Sequence, residues 1–466
     1  MDGASSVSAA SAINETLIMI KKLLVISSVC LLGRIIAPAQ TIEVNFAKPD
    51  PASPDLYGRY LDFCGSGQEF TRADFQLCQE QLGRLKLVRI WGTNHIDYAV
   101  QLADEALMVD DKGINLNALL HGTVSENECV AAVEKHLGEI KAEHPFVTHI
   151  EPFNEMTGKG LDLPEGVSVA EACYKGFRVT MRAAGELNRK NSYTKPLLVG
   201  GPACMWPQYK SDYLKNFLSF YAKDPDTAKH LDFISVHFYP DDFKIAMSFR
   251  QNVEAILAED HLPVVPLIMS EIGWKEKDAR KNIGDPKDAL RWATGPLAHT
   301  YQIAEQNVLP IHWVYPRKEI RHCMVAPVTE APALLPKGNA IKLAQMLKNN
   351  HAWSSVALDE AGDGIYSVAT FDKSGVAILL FNYDGKDESP KTITLKLLGY
   401  GNLASQDGQV TEYQLDQNHA NWYADKKAWR LAPVDEGTKS LASLDGKTIR
   451  LEGNAVDLLL ISFTTK

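Results

Sequence analysis

The chain has 466 residues, 45% hydrophobic and 23% charged, with a formal net charge of −10. That composition excludes a disordered chain and is ample for more than one domain. Acidic and basic residues are interspersed, with no basic run in the body of the chain, which argues against nucleic acid as the main partner.

The N-terminus opens the reading. Met19-Ile20-Lys21-Lys22 precedes an apolar stretch over 23–32 and a small-x-small pattern at Ala37-Pro38-Ala39, the layout of a cleavable export signal. Residues 1–39 are therefore set apart as signal peptide and upstream extension, and the mature protein is expected to be secreted or periplasmic. The apolar stretch is shorter than the about 20 residues that span a bilayer, so no membrane span is expected. Val29 before Cys30 is larger than the residue a lipoprotein signal requires, and a lipid anchor is not favoured. Six cysteines remain, Cys64, Cys78, Cys129, Cys173, Cys204 and Cys323. They form no CxxC pair, and buried free thiols are the expectation.

Residues 41–46 alternate apolar and polar, and 40–53 reads as a strand joining a C-terminal sheet. From 54 to 349 short apolar runs alternate with helical patterns. The runs are 57–63, 87–91, 114–120, 147–153, 196–201, 233–239, 266–270 and 308–314, and the helical patterns are 126–142, 169–188, 210–222, 243–259 and 287–306. Eight βα units predict a closed (β/α)₈ barrel. After a last helix over 339–347 the texture changes. Runs at 365–370, 376–381, 391–397, 410–414 and 455–463 are separated by Asp-Gly turn signals, which predicts an antiparallel β-sandwich over 350–466.

Two runs end in a carboxylic acid: Glu151-Pro152-Phe153-Asn154-Glu155 after the fourth, and Ser270-Glu271-Ile272-Gly273-Trp274 at the seventh. Residues past the C-terminal ends of barrel strands face the one open end of the barrel, so Glu155 and Glu271 are expected to converge there. Two carboxylates flanking a sugar linkage suffice for glycoside hydrolysis. Asn154 is placed to hydrogen-bond a sugar hydroxyl. Arg89, on an apolar strand ending at Trp91, demands an anionic partner, and a carboxylate kept ionised beside it suits a nucleophile. His237 and Tyr239 share a strand face, and Trp313 offers a flat apolar surface for a sugar ring. The loop Tyr315-Pro316-Arg317-Lys318-Glu319-Ile320-Arg321-His322 is the densest basic cluster near that face. Arg317 and Arg321 are accordingly candidates for an anionic group on the substrate.

With Asn154-Glu155 at the fourth strand end, Tyr239 at the sixth, Glu271 at the seventh and Trp313 at the eighth, residues 54–349 resemble the clan A retaining glycoside hydrolases. Glu151-Pro152-Phe153-Asn154-Glu155 and the trailing sandwich look most like the β-xylosidase and α-L-iduronidase family. The resemblance implies Glu155 as acid/base and Glu271 as nucleophile. It further implies that Asn154, Arg89, Trp91, His237, Tyr239 and Trp313 line or support the site, with a carbohydrate substrate and no cofactor. Two other readings stand beside it: a glycan-binding barrel without turnover, and a metal-dependent hydrolase using His95, His121, His149 and His237, for which no HxH or HExxH cluster exists.

Overall fold

A computed structural model describes residues 39–50, 58–63, 71–239, 248–273, 285–313, 323–326, 330–358, 364–383, 389–401, 403 and 407–463. The signal segment, Cys30, Cys64, Trp274 and the basic loop with Arg317 and Arg321 lie outside the described residues. Among the described residues no helix is long and apolar enough to cross a membrane.

After strand β1 (Gln40–Pro49) come eight parallel strands that close into a barrel. They are β2 (Tyr60–Asp62), β3 (Leu85–Trp91), β4 (Ala103–Val109), β5 (Val147–Glu151), β6 (Leu198–Cys204), β7 (Phe233–Phe238), β8 (Leu267–Ile272) and β9 (Leu309–Trp313). Closure is made where Leu61 and Asp62 of β2 pair with His312 and Trp313 of β9.

Seven of the eight expected strands are present, and the third is corrected. It is β4, not 114–120, where Leu116–Leu120 forms a short helix whose Ala118 N–H donates to the Asn115 side chain. Asp104 and Glu105 disguise β4 as polar sequence. Arg84 pairs with Asp104 and Lys195 with Glu105, each at 2.8 Å, so both charges are accommodated at the strand's start. The expected helices appear as Glu126–Glu143, Val169–Asn191, Tyr213–Lys223, Phe249–Glu259 and Pro286–Glu305. Ser125 and Glu128 form a reciprocal capping box that fixes the start of the first of these.

The barrel interior is layered by chemistry. Leu87, Leu107, Phe233, Ile268 and Ile311 fill the lower part as one buried cluster. One step further along the strands, the buried inward groups are Asp62, Arg89, Glu151, His237 and Glu271. The apolar plug closes the lower end and leaves the polar layer facing the open mouth.

Beyond the barrel come β10 (Asn350–Ser354), β11 (Ala357–Leu358), β12 (Gly364–Asp372), β13 (Gly375–Tyr383), β14 (Lys391–Leu398), β15 (Asp407–Leu415), β16 (Pro433–Ser440), β17 (Thr448–Leu451) and β18 (Val456–Phe463). The sheet order is β16-β15-β18-β13-β12-β10-β1-β14-β17, mostly antiparallel, with β11 beside β12, consistent with the expected sandwich. One face packs Tyr366, Val368, Leu379 and Phe381 against Leu290, Leu297, Tyr301 and Leu343 of the last barrel helices. The other buries Ile42, Val44, Ile378, Leu395 and Ile449. Polar bonds bind the same seam: Thr294 Oγ1 donates to the Asn454 carbonyl at 2.6 Å, and Asn339 to those of Ala420 and Trp429. Cys78, Cys129, Cys173, Cys204 and Cys323 are buried free thiols.

Candidate active site

Arg89 organises the barrel mouth. Its guanidinium has five N–H donors, and each has an acceptor. Nε donates to Glu151 Oε2 at 2.8 Å, one terminal nitrogen donates to Asp62 Oδ2 at 2.9 Å and Glu271 Oε1 at 2.7 Å, and the other to Asn154 Oδ1 at 2.7 Å and His237 Nε2 at 3.3 Å. The partners come from β2, β5, β7 and β8 and from the loop after β5. The cation therefore pins four strand ends to its own strand, β3. Sequence reasoning required one anionic partner for Arg89 and missed Asp62 and Glu151, both fully buried. The available signal was a charge at the end of each of two apolar runs, the same signal that singled out Glu271.

His237 lies between the two glutamates. Its Nδ1 is 2.8 Å from Glu155 Oε1 and 3.3 Å from Glu271 Oε2. Because a guanidinium only donates, the nitrogen facing Arg89 is the acceptor. The imidazole proton is thereby assigned to Nδ1, where it is donated to Glu155. Burial raises the Glu155 pKa, but the His237 hydrogen bond and the Arg89 charge outweigh it and leave the group below its ordinary value.

Tyr239 donates its phenol proton to Glu271 Oε2 at 2.7 Å. Burial, then the charge and hydrogen bond of Glu271, push its pKa well above the ordinary value, so it stays a donor. The Trp313 ring meets Tyr239 edge-on, with centroids 5.6 Å apart at 80°. Gly273 makes this packing possible: a Cβ there would stand 2.2 Å from Tyr239 Cε1.

Glu155 itself sits at φ +48°, a left-handed conformation uncommon for a non-glycine residue. Its N–H donates to the Ala203 carbonyl at 3.0 Å, which helps hold the turn. Backbone strain of this kind persists where surrounding contacts over-determine it, as they do at functional sites. A Glu155 oxygen, a Glu271 oxygen and a His237 nitrogen all lie within 4.8 Å of one another.

Those three side chains are the group among the described residues that could hold a metal ion. The wider histidine set is not brought together. His149 packs on Phe233 with centroids 5.6 Å apart, His121 stands 3.1 Å from Asp162, and His95 precedes the helix Ile96–Leu102. Arg89 already places a fixed cation 2.7 Å from Glu271.

A cavity of about 760 Å³ opens beside the glutamate pair, lined by the segments following β3, β4 and β5. Trp91, 39% exposed, forms part of its wall, Asn154 and Glu155 border it, and Asn94, Asp111, Lys112 and Lys159 are among its polar lining. Asp110 is held rigid there by the Lys112 backbone N–H at 2.8 Å and His136 Nε2 at 2.7 Å. Asn154 spends its oxygen on Arg89, which turns its amide nitrogen into the donor left for a ligand.

The fold has counterparts among solved structures. The chain superposes on a monomeric β-xylosidase from Caulobacter crescentus with TM-score 0.65 and 13% identity, covering 91% of this chain and 99% of that one. A GH39 enzyme from Xanthomonas axonopodis gives 0.66 and 14%, covering 93% and 99%. An α-L-arabinofuranosidase from Thermotoga maritima gives 0.60 and 12%, covering 91% and 100%. The chain shares their fold. No protein-family model matches it, and no curated protein matches it in sequence.

Proposed function

We propose that the protein is a retaining glycoside hydrolase acting on an oligo- or polysaccharide, with Glu271 as nucleophile and Glu155 as acid/base. The observation that carries this reading is the approach of a Glu155 oxygen and a Glu271 oxygen to within 4.8 Å. Retaining enzymes hold their carboxyl groups about 5 to 5.5 Å apart, whereas inverting enzymes need about 6.5 to 9.5 Å to admit a water. The unequal surroundings of the two acids support the division of labour. Glu271 takes Arg89 on one oxygen and Tyr239 on the other, which holds the carboxyl fixed and aimed. Glu155 is the more exposed, bordering the cavity, where a leaving group can be reached.

In the first step Glu271 attacks the anomeric carbon while the Glu155 carboxyl protonates the departing oxygen. Asn154 donates to the hydroxyl next to the reacting carbon. In the second step Glu155 takes a proton from water, which displaces Glu271 and restores the configuration. The structural neighbours are named for different sugars, among them a β-xylosidase, a glucosidase and an α-L-arabinofuranosidase, which supports the reaction class and leaves the sugar to the test. We also propose export to the periplasm or medium, on the strength of the N-terminal segment.

Incubation with a panel of aryl glycosides and polysaccharides, followed by NMR of the first-formed anomer, tests the reading. Product with retained configuration is expected. Inverted product would overturn the mechanism, and saturable glycan binding without turnover would favour a binding protein instead.

A further inference from the structure

Lys337 stands at the second position of the helix Pro336–Gln345 and is 2% exposed. Its Nζ donates to the Trp313 carbonyl oxygen at 2.9 Å, and among the described residues no carboxylate pairs with it. An ammonium in this position is opposed twice over. Burial strips its water, and the helix N-terminus presents the positive end of the peptide dipoles. Neither barrel closure nor the proposed chemistry calls for a cation here, so the group that it holds is informative. Trp313 ends β9, its ring packs on Tyr239, and Tyr239 donates to Glu271.

We propose that Lys337 is a positioning residue of this site: its buried side chain fixes the Trp313 carbonyl, and through the indole sets Tyr239 and its hydrogen bond to Glu271. The same burial pushes the lysine pKa down to about 7, against a smaller opposing effect of Cys323. The titratable groups facing it are Cys323, from the segment before the helix, and His312 on β9. Burial, and then the lysine's own charge, push His312 down to about 3, so it stays neutral throughout. As pH rises through neutrality Lys337 loses its charge, and its bond to the carbonyl weakens from charge-assisted to neutral. The aromatic pair is then held less firmly on the alkaline side.

The inference rests on the glycosidase reading only in naming Glu271 as the group positioned, and it is tested first without turnover. In protein labelled with ¹⁵N-tryptophan, the Trp313 indole signal, assigned by its loss in Trp313→Phe, is expected to shift with a midpoint near pH 7. In Lys337→Met that shift should vanish. An identical titration in both proteins would overturn the proposal. Should Lys337→Met not fold, the native protein labelled with ¹³Cε-lysine decides the matter. One lysine should titrate near pH 7, distinct from Lys141, which burial lowers to about 8 and whose signal is assigned by its loss in Lys141→Arg, and the absence of the first would overturn the proposal. Activity supplies a second reading, using a glycoside whose leaving group needs no proton, so that Glu155 is not called on as an acid. Native kcat should fall about fivefold on the alkaline side of neutrality, and Lys337→Met should show no such fall. A titrating indole in a protein that cleaves no glycoside would support the positioning role while removing the proposed function.

Discussion

His237 Nδ1 lies 2.8 Å from Glu155 Oε1, with its other ring nitrogen turned to Arg89 at 3.3 Å. The contact favours the carboxylate form of Glu155, whereas a proton donor must begin as the acid. In the free protein the favourable hydrogen bond and the Arg89 charge win over burial. A bound sugar excludes water and strengthens the burial effect, shifting the balance toward the acid. The alkaline limb of kcat/KM, which reports the free enzyme, is therefore expected at or below the ordinary Glu pKa of about 4.3. The limb of kcat, which reports the complex, should lie at higher pH. His237→Phe removes the hydrogen bond and should move the kcat/KM limb upward. Coincident limbs near neutrality in the native protein would contradict this account.

The two glutamates should fail differently. Glu271→Ala is expected to abolish turnover on every substrate. Glu155→Ala should cost least where the leaving group departs without a proton, and added azide should rescue it by attacking the glycosyl intermediate. The glycosyl azide should keep the substrate's configuration. An inverted azide product from Glu155→Ala would exchange the two roles.

Arg89→Met leaves Asp62, Glu151 and Glu271 without their cation in a buried layer. Breaking a buried ion pair from one side costs about 3 to 5 kcal/mol, and a loss of this order is expected in denaturant or thermal unfolding. Arg89→Lys should recover only part of it, because three ammonium donors cannot serve five acceptors. Full recovery of both stability and kcat by lysine would show that the fork geometry is dispensable.

Gly273→Ala would put a Cβ 2.2 Å from the Tyr239 ring. The ring has to move, and with it the phenol that orients Glu271. kcat is expected to drop about as much as in Tyr239→Phe, and the double variant should lose little more than either single one, since both remove the same hydrogen bond. Additive losses in this cycle would assign Gly273 a separate role.

The cavity beside Trp91 is large enough for more of a glycan than the reacting ring, since ligand pockets of about 300 to 1,000 Å³ take whole small molecules. Native kcat/KM should rise with chain length from an aryl monoglycoside to the corresponding oligosaccharides. Trp91→Ala should reduce that rise by about two- to tenfold, the scale of a lost aromatic contact. A rise unaffected by Trp91→Ala would place the additional units elsewhere.

Much of this was legible in the sequence because barrel strands are short apolar runs and functional residues cluster at their ends. Asn154, Glu155, His237, Tyr239, Glu271 and Trp313 could be placed by strand number alone. What was hidden had compensation from afar. Asp104 and Glu105 made β4 look like a loop until Arg84 and Lys195 met them. Lys337 lies just outside the helix expected over 339–347, and nothing local shows that its ammonium ends on a carbonyl 24 positions away. β16 reads as polar because an edge strand exposes most of its side chains. Trp91 was expected at the site only through the resemblance, and its cavity is built from three loops whose paths no periodicity reveals.

The place of β1 has a consequence for the order in which the molecule can be made. This first strand lies between β10 and β14, and Glu43 N–H reaches Ser355 Oγ across 312 positions of sequence. During synthesis all eight barrel strands are made before any partner for β1 exists, so Ile42, Val44 and Phe46 remain without their buried lining until the C-terminal sheet emerges. Sheet closure is thereby the late step of folding, slowed by the span of chain that separates its members. In the interval an unpaired apolar strand is open to chaperones, export factors or other copies of the chain.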